Sequence, residues 1–266
     1  MFAKINHVAI LSERYAVTGK FYEAAFGMKT ANQLRPTNAV VVGDGYVGLN
    51  INPRAVARPA RLDHFGVEVE DVETAFERMR KYQRVEWLKR PANRPFAGIT
   101  THDPNGNVFD LSQKKMANRA DIYEAGEWKQ DRYISHVAMR TLDPDAMADF
   151  YTDVFQFERR NRREGDPNHY LTDGRVTLVL MPWHITDYAD TGIVSPGMDH
   201  IGFTVEDMDK FKADLQQTAD QNAHLAYRSF TGKEGKARLA LAEKSCALGE
   251  FYFGDPDGVV LSAAAA

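Results

Sequence analysis

The chain has 266 residues, 44% of them hydrophobic, a formal charge of −4 and a pI near 6.1. That length exceeds the usual single domain and can supply two compact cores, while the charge balance leaves no electrostatic footprint for nucleic acid or an anionic membrane. One cysteine, Cys246, excludes an intrachain disulfide; with no His or second Cys at ligand spacing in EKSCALG, it reads as a structural thiol. The opening MFAKINHVAI has no long apolar run. The expectation is a cytoplasmic protein with a small-molecule substrate, no nucleic-acid or membrane partner, and room for a homodimer.

The first element is a strand, NHVAI, from Asn6 to Ile10. Apolar residues at helical spacing follow over Thr18 to Met28, with Phe21, Tyr22, Ala25 and Phe26 on one face. AVVVGDG and YVGLNIN then read as strands around a Gly-Asp-Gly hairpin turn. A second strand, DHFGV (Asp63 to Val67), leads after Asp71 into a helix carrying Val72, Ala75, Phe76 and Met79. The stretch THDPNGNVFDL, Thr101 to Leu111, closes this part with an Asp-Pro-x-Gly turn and a strand.

Beyond a polar, helix-prone segment from Gln113 to Asp131, the order begins again. SHVAM (Ser135 to Met139) precedes a helix with Pro144 in its first turn and a stripe of Met147, Phe150, Tyr151, Val154 and Phe155. HYLTDG and RVTLVLMPW are strands, and the basic run ERRNRREGD before them reads as a solvated loop. DHIGF (Asp199 to Phe203) leads into a helix with Met208, Phe211 and Leu215. An additional segment, Thr231 to Gly249, is expected to be a helix or lid over one cup, and FGDPDGVVLSA repeats the Asp-Pro-x-Gly phrase.

Four strands thus share one pattern: polar, His, apolar, small, apolar. Alternation sets the His and the small residue opposite the larger apolar pair. Each unit is strand, helix, then two or three strands, and a repeat of this kind governs the whole fold. Two paired-module domains are expected, residues 1–115 (modules 1–58 and 59–115) and 132–266 (modules 132–195 and 196–266), joined by a linker at 116–131.

With its strand-borne His7, His64, His136 and His200, the helix after each, and its two Asp-Pro-x-Gly turns, the chain resembles the vicinal oxygen chelate superfamily of glyoxalases, bleomycin resistance proteins and extradiol dioxygenases. The resemblance implies an α+β fold of four βαβββ modules paired into two glyoxalase-like domains with cupped mixed sheets. It also implies a divalent metal held by a His from the first strand of each module and a carboxylate from the last strand of the second. Carried over, that set is His7, His64 and Asp110 in the first domain; the second has His136 and His200 but Ser262 where the carboxylate belongs. Module swapping, known in such proteins, would instead join His136 to His64 and Asp110.

Two imidazoles and a carboxylate offer three ligands and leave positions for substrate, and they favour a divalent transition metal over Ca. Fe(II) is favoured by the extradiol resemblance, with Mn(II) or Zn(II) as alternatives. The competing reading of the three residues is a buried hydrogen-bonded cluster without metal. Tyr252 matches the tyrosine that ring-cleavage enzymes carry before the Asp-Pro turn, although a packed strand tyrosine reads as well. Their acid-base His has no counterpart in either half, and His102, beside Asp103, is the other candidate for proton transfer. The expected function is a metal-dependent, extradiol-type dioxygenase or related oxygenase. The alternatives are a glyoxalase-like lyase or isomerase, or a binding protein of the bleomycin-resistance kind.

Overall fold

A computed structural model describes residues 2–30, 39–91, 96–113, 116 and 128–266, and the structural statements below concern these residues. In chain order the first half contains β1 (Ala3–Ser12), α1 (Tyr15–Phe26), β2 (Lys29–Thr30), β3 (Val40–Gly43), β4 (Gly48–Pro53), β5 (Arg61–Val69), α2 (Val72–Met79), β6 (Leu88–Lys89), β7 (Ile99–His102) and β8 (Val108–Gln113). The second half contains β9 (Tyr133–Thr141), α3 (Pro144–Phe155), β10 (Glu158–Arg159), β11 (His169–Thr172), β12 (Thr177–Pro182), α4 (Ile185–Thr191), β13 (Gly197–Val205), α5 (Met208–Gln221), α6 (Gly232–Ser245), β14 (Phe251–Gly254) and β15 (Val260–Ala265).

The strands form two mixed sheets with one arrangement: β2-β3-β4-β1-β5-β8-β7-β6 and β10-β11-β12-β9-β13-β15-β14. In each sheet the two His-bearing strands are antiparallel neighbours at the centre, β1 with β5 and β9 with β13. β4 and β8, or β12 and β15, flank them in parallel. The modules therefore pair within each half, and the swapped pairing does not occur. Most of the Gln113 to Asp131 segment lies outside the described residues.

Local sequence explains the helices. Asp71 accepts from Thr74 N at 2.9 Å to cap α2, and Asp143 accepts from Ala146 N at 3.0 Å to cap α3, which starts on Pro144. α1 begins three residues before the expected Thr18, because Val17 N and Thr18 N already bond to Arg14 O. It ends at Gly27, whose φ of 66° suits a residue without a Cβ. The additional segment forms helix α6.

Apolar faces of helices and sheets from both halves merge into one core. Phe26 of α1 stacks on Phe203 of β13 with ring centroids 3.7 Å apart, and Tyr151 of α3 packs against Phe65 and Phe109. Buried aspartates fasten the halves with the same contacts in both directions. Asp44, in the β3–β4 turn, accepts from Ile134 N at 2.8 Å, and Asp173, in the β11–β12 turn, accepts from Ile5 N at 2.7 Å. Because alternate strand residues face opposite ways, Val8, Ile10, Leu49 and Ile51 enter this core, whereas His7, Ala9 and Asn50 face the concave side.

Candidate metal centres

Each of the four histidines follows a polar residue at a break in strand register. The β1–β5 pairing shifts between Ile5 and His7 and between Ala9 and Ile10; the β9–β13 pairing shifts between Met198 and His200 and between Gly202 and Phe203. The extra residues at these bulges are Asn6, Asp63, Asp199 and Ser135. Each holds the next imidazole by its Nδ1. Asn6 Oδ1 lies 2.8 Å from His7, Asp63 Oδ2 2.9 Å from His64, Ser135 Oγ 3.3 Å from His136, and Asp199 Oδ1 2.6 Å from His200. Such partners fix a ring's orientation and direct Nε2 into the cup. The polar first position of the repeated strand was visible in sequence, but its role depends on the bulge.

The small residue of the repeat has an equally specific cause. Across the central strand pair, His7 faces Gly66, Ala9 faces His64, His136 faces Gly202 and Ala138 faces His200. A Cβ on Gly66 would lie 2.0 Å from His7 Cε1, and one on Gly202 would lie 1.8 Å from His136 Cε1.

In the first half, the candidate ligand atoms of His7, His64 and Asp110 lie within 4.8 Å of one another. His64 Nε2 is 3.2 Å and His7 Nε2 3.7 Å from Asp110 Oδ2, while Thr100 Oγ1 donates to the other carboxylate oxygen. The His7 ring stacks on Phe96 at 5.1 Å. His7 is fully buried, whereas the His64 side chain keeps 16% exposure. Burial pushes the Asp110 carboxyl up, but the hydrogen bonds and charges of His64 and His7 outweigh it and hold the group well below the usual carboxylate range. Burial lowers His64, yet Asp110 and Asp63 carry it to about 9. Asp63 is also pushed up by burial, and His64 and Arg58 bring it down to about 2. With the shorter Asp where the superfamily usually has Glu, the donors still converge, so the set fits a divalent ion.

In the second half, His136 Nε2 lies 3.2 Å from His200 Nε2 and 3.3 Å from Ser262 Oγ. Ser262 pairs with Tyr252 as Asp110 pairs with Thr100. The third ligand-type group is Cys246, whose sulfur lies within 4.8 Å of both imidazoles. The thiol is buried among Ala138, Tyr170, Val179 and Met181, as a structural thiol would be, and it also stands beside two imidazoles, a neighbourhood the local sequence does not show. α6 folds back over the sheet, so a residue 46 positions from the nearer His reaches the cluster. Burial raises the thiol, but hydrogen bonds to His136 and His200 draw it down to about 5.

The remaining candidates are occupied elsewhere. Tyr252 donates its hydroxyl to Cys246 O at 2.9 Å and packs edge-on against His200. His102 lies at the turn end of β7 with Nδ1 2.8 Å from Asp103 O. His169 contacts Asp145 at 2.6 Å, and His184 N donates to Asp187 at the start of α4. The loop of ERRNRREGD contributes Arg160, Arg162 and Arg163 to a groove of about 340 Å³ beside Tyr170 and Leu248. No helix among the described residues is long and apolar enough to cross a membrane.

A family model for the Glyoxalase/Bleomycin resistance protein/Dioxygenase superfamily matches residues 4–111 and 133–262. The chain belongs to that superfamily. Two of its solved relatives in fold are a 2,2',3-trihydroxybiphenyl 1,2-dioxygenase from Sphingomonas wittichii and the Mn(II)-bound glyoxalase from Novosphingobium aromaticivorans. The dioxygenase is 12% identical, with a TM-score of 0.65 over 100% of this chain and 91% of that one. The glyoxalase is 15% identical, with a TM-score of 0.62 over 99% and 82%. The chain also spans 49% of a xylose isomerase-like TIM barrel/4-hydroxyphenylpyruvate dioxygenase fusion protein, at 14% identity, 100% coverage of this chain and a TM-score of 0.59. No curated protein sequence matches it. These likenesses are to the two-domain fold of the superfamily.

Proposed function

We propose that the protein is a divalent-metal-dependent enzyme acting on a small substrate with adjacent oxygens, and that its metal is held by His7, His64 and Asp110. The observation that carries this reading is the convergence of three donors from three strands, with 16% of the His64 side chain left exposed. Two imidazoles and one carboxylate suit Fe(II) or Mn(II), with Zn(II) as a further candidate. A bound ion of this class supplies Lewis acidity and a template for adjacent oxygens.

The chain's own residues do the rest. Asp63 and Asn6 hold the two rings by Nδ1, and Thr100 orients the Asp110 carboxylate so that its other oxygen faces the histidines. Phe96 stacks on the His7 ring, and Ala9 with its strand neighbour Asn50 lies on the same side of the sheet as His7. An extradiol-type oxygenase fits the dioxygenase neighbours and an aromatic substrate. A lyase or isomerase reading is favoured by one specific feature: Thr100 stands where ring-cleavage enzymes have their tyrosine, and no acid-base His accompanies it.

The test is elemental analysis of protein purified without chelators, beside Asp110→Ala, then oxygen uptake with a catechol panel after anaerobic reconstitution with Fe(II). Loss of one ion per chain in the variant and oxygen consumption by the parent support an oxygenase. An Asp110-dependent ion without oxygen consumption favours the lyase or isomerase. If no ion depends on Asp110 even after reconstitution, the enzyme reading fails and sequestration of a small molecule replaces it.

A further inference from the structure

The second cup has lost its carboxylate, but its two histidines retain the orientation of ligands. His136 and His200 are 1% and 0% exposed, their rings stand at 88°, and their Nε2 atoms are 3.2 Å apart. Two ligands each about 2.0–2.1 Å from a tetrahedral zinc stand roughly 3.3 Å apart. His200 has its Nδ1 fixed by Asp199, the arrangement in which a carboxylate orients a metal-bound imidazole.

The chain that carries Cys246 is held as firmly. Asn168 Nδ2 donates to Ser245 O at 2.6 Å, Tyr252 Oη donates to Cys246 O at 2.9 Å, and Arg140 Nη2 lies 3.3 Å from Ser245 Oγ. Arg238 of α6 itself bonds to Asp199, 2.9 Å away, so one carboxylate fixes both the imidazole and the helix that delivers the thiol. Three groups that meet in a closed space, each braced from behind, are preorganised for a central ion.

We propose that His136, His200 and Cys246 form a second, thiolate-bearing metal centre, selective for Zn(II), that pins α6 across the second cup. With an ion bound, each half would present two neutral imidazoles and one anion, but the anions differ in softness. Carboxylate suits Fe(II) or Mn(II) in the first half, whereas thiolate with imidazole suits zinc in the second. Ala138, Tyr170, Val179 and Met181 pack against Cys246 and leave the second cup filled. A tetrahedral zinc keeps one further position beyond His136, His200 and Cys246, and Ser262 Oγ, 3.3 Å from His136 Nε2, lies beside the cluster. The inference does not require the first centre to hold an ion.

Cobalt(II) tests it, because the chain has one cysteine and any thiolate-to-cobalt charge-transfer band arises from Cys246. Metal-free full-length protein is titrated with Co(II) and then with Zn(II), followed by ultraviolet and visible absorption. The expected result is a charge-transfer band that is displaced by Zn(II), vanishes in Cys246→Ser and, in Asp110→Ala, where the first centre takes no ion, persists and saturates at one ion per chain. Zinc affinity at this centre should fall by at least about a hundredfold in Cys246→Ser, since a ligand rather than an outer partner is removed. If that variant fails to fold, His200→Gln, which retains the thiol, takes its place; survival of the full band there overturns the proposal. Absence of the band from the parent at saturating Co(II) overturns it without any variant. An Asp110-dependent ion without the band would sink the second centre alone, and the band without an Asp110-dependent ion would sink only the first.

Discussion

Tyr151, on a helix of the second half, donates its hydroxyl to Asp103 Oδ2 in the first half at 3.0 Å, and Tyr22 returns the contact by donating to Asp255 Oδ2 at 3.1 Å. The other oxygen of each aspartate shapes its own turn. Asp103 Oδ1 accepts from Asn105 N and Asn107 N, and Asp255 Oδ1 from Asp257 N and Val259 N, all at 2.9 Å. The Asp-Pro-x-Gly phrase therefore occurs twice for a structural reason separate from the Asp110 carboxylate on the strand that follows the first copy. Removing one hydroxyl leaves a buried carboxylate oxygen short of a donor, so Tyr22→Phe and Tyr151→Phe should each lower stability by about 1–3 kcal/mol. Denaturant titration measures this, and unchanged metal content would show that the clamps act on the fold alone.

The same aspartates make stability depend on acidity. Burial, aided by the charge of Asp257 and opposed by backbone donors, raises Asp255 to about 6. A carboxyl whose folded value exceeds its unfolded value of about 3.9 favours the folded state most when protonated. Its contribution is therefore full below pH about 4 and is lost as pH rises through about 6. Asp255→Asn should flatten stability across that window in chemical denaturation at a series of pH values, and an unchanged slope would contradict the assignment.

Gly66 should tolerate no side chain. A methyl there would stand 2.0 Å from His7 Cε1, so Gly66→Ala must displace the ring that completes the first centre. We expect a loss of about 1–3 kcal/mol from overpacking together with loss of the Asp110-dependent ion. A folded Gly66→Ala protein with the parent's metal content, measured by elemental analysis, would refute this placement.

His64 must release a proton before it can ligate an ion. In the metal-free protein Asp110 and Asp63 overcome burial and hold it charged up to about 9. Affinity of the first centre should therefore rise about tenfold per pH unit from neutrality and level off above about 9. Competition titration with a metallochromic chelator measures the profile. Asp63→Asn removes the carboxylate behind Nδ1; it should move the plateau to lower pH and weaken plateau affinity by roughly 10–100-fold.

Asp110, the four strand histidines and the helical stripes were legible because each is written locally: period-two strands, period-3.6 helices and a phrase repeated at matching places. The two-sheet arrangement followed from the resemblance those patterns carry. The bulges at Asn6, Asp63, Ser135 and Asp199 were not legible, because the extra residue exists only relative to a partner strand. The four interdomain aspartates looked like ordinary turn residues, since one oxygen of each does shape a turn while the other serves a distant segment. Tertiary structure alone decided the company of Cys246. Its sequence neighbours offer no ligand, and only the return of α6 over the second sheet, fastened through Arg238 and Asp199, brings the thiol to His136 and His200.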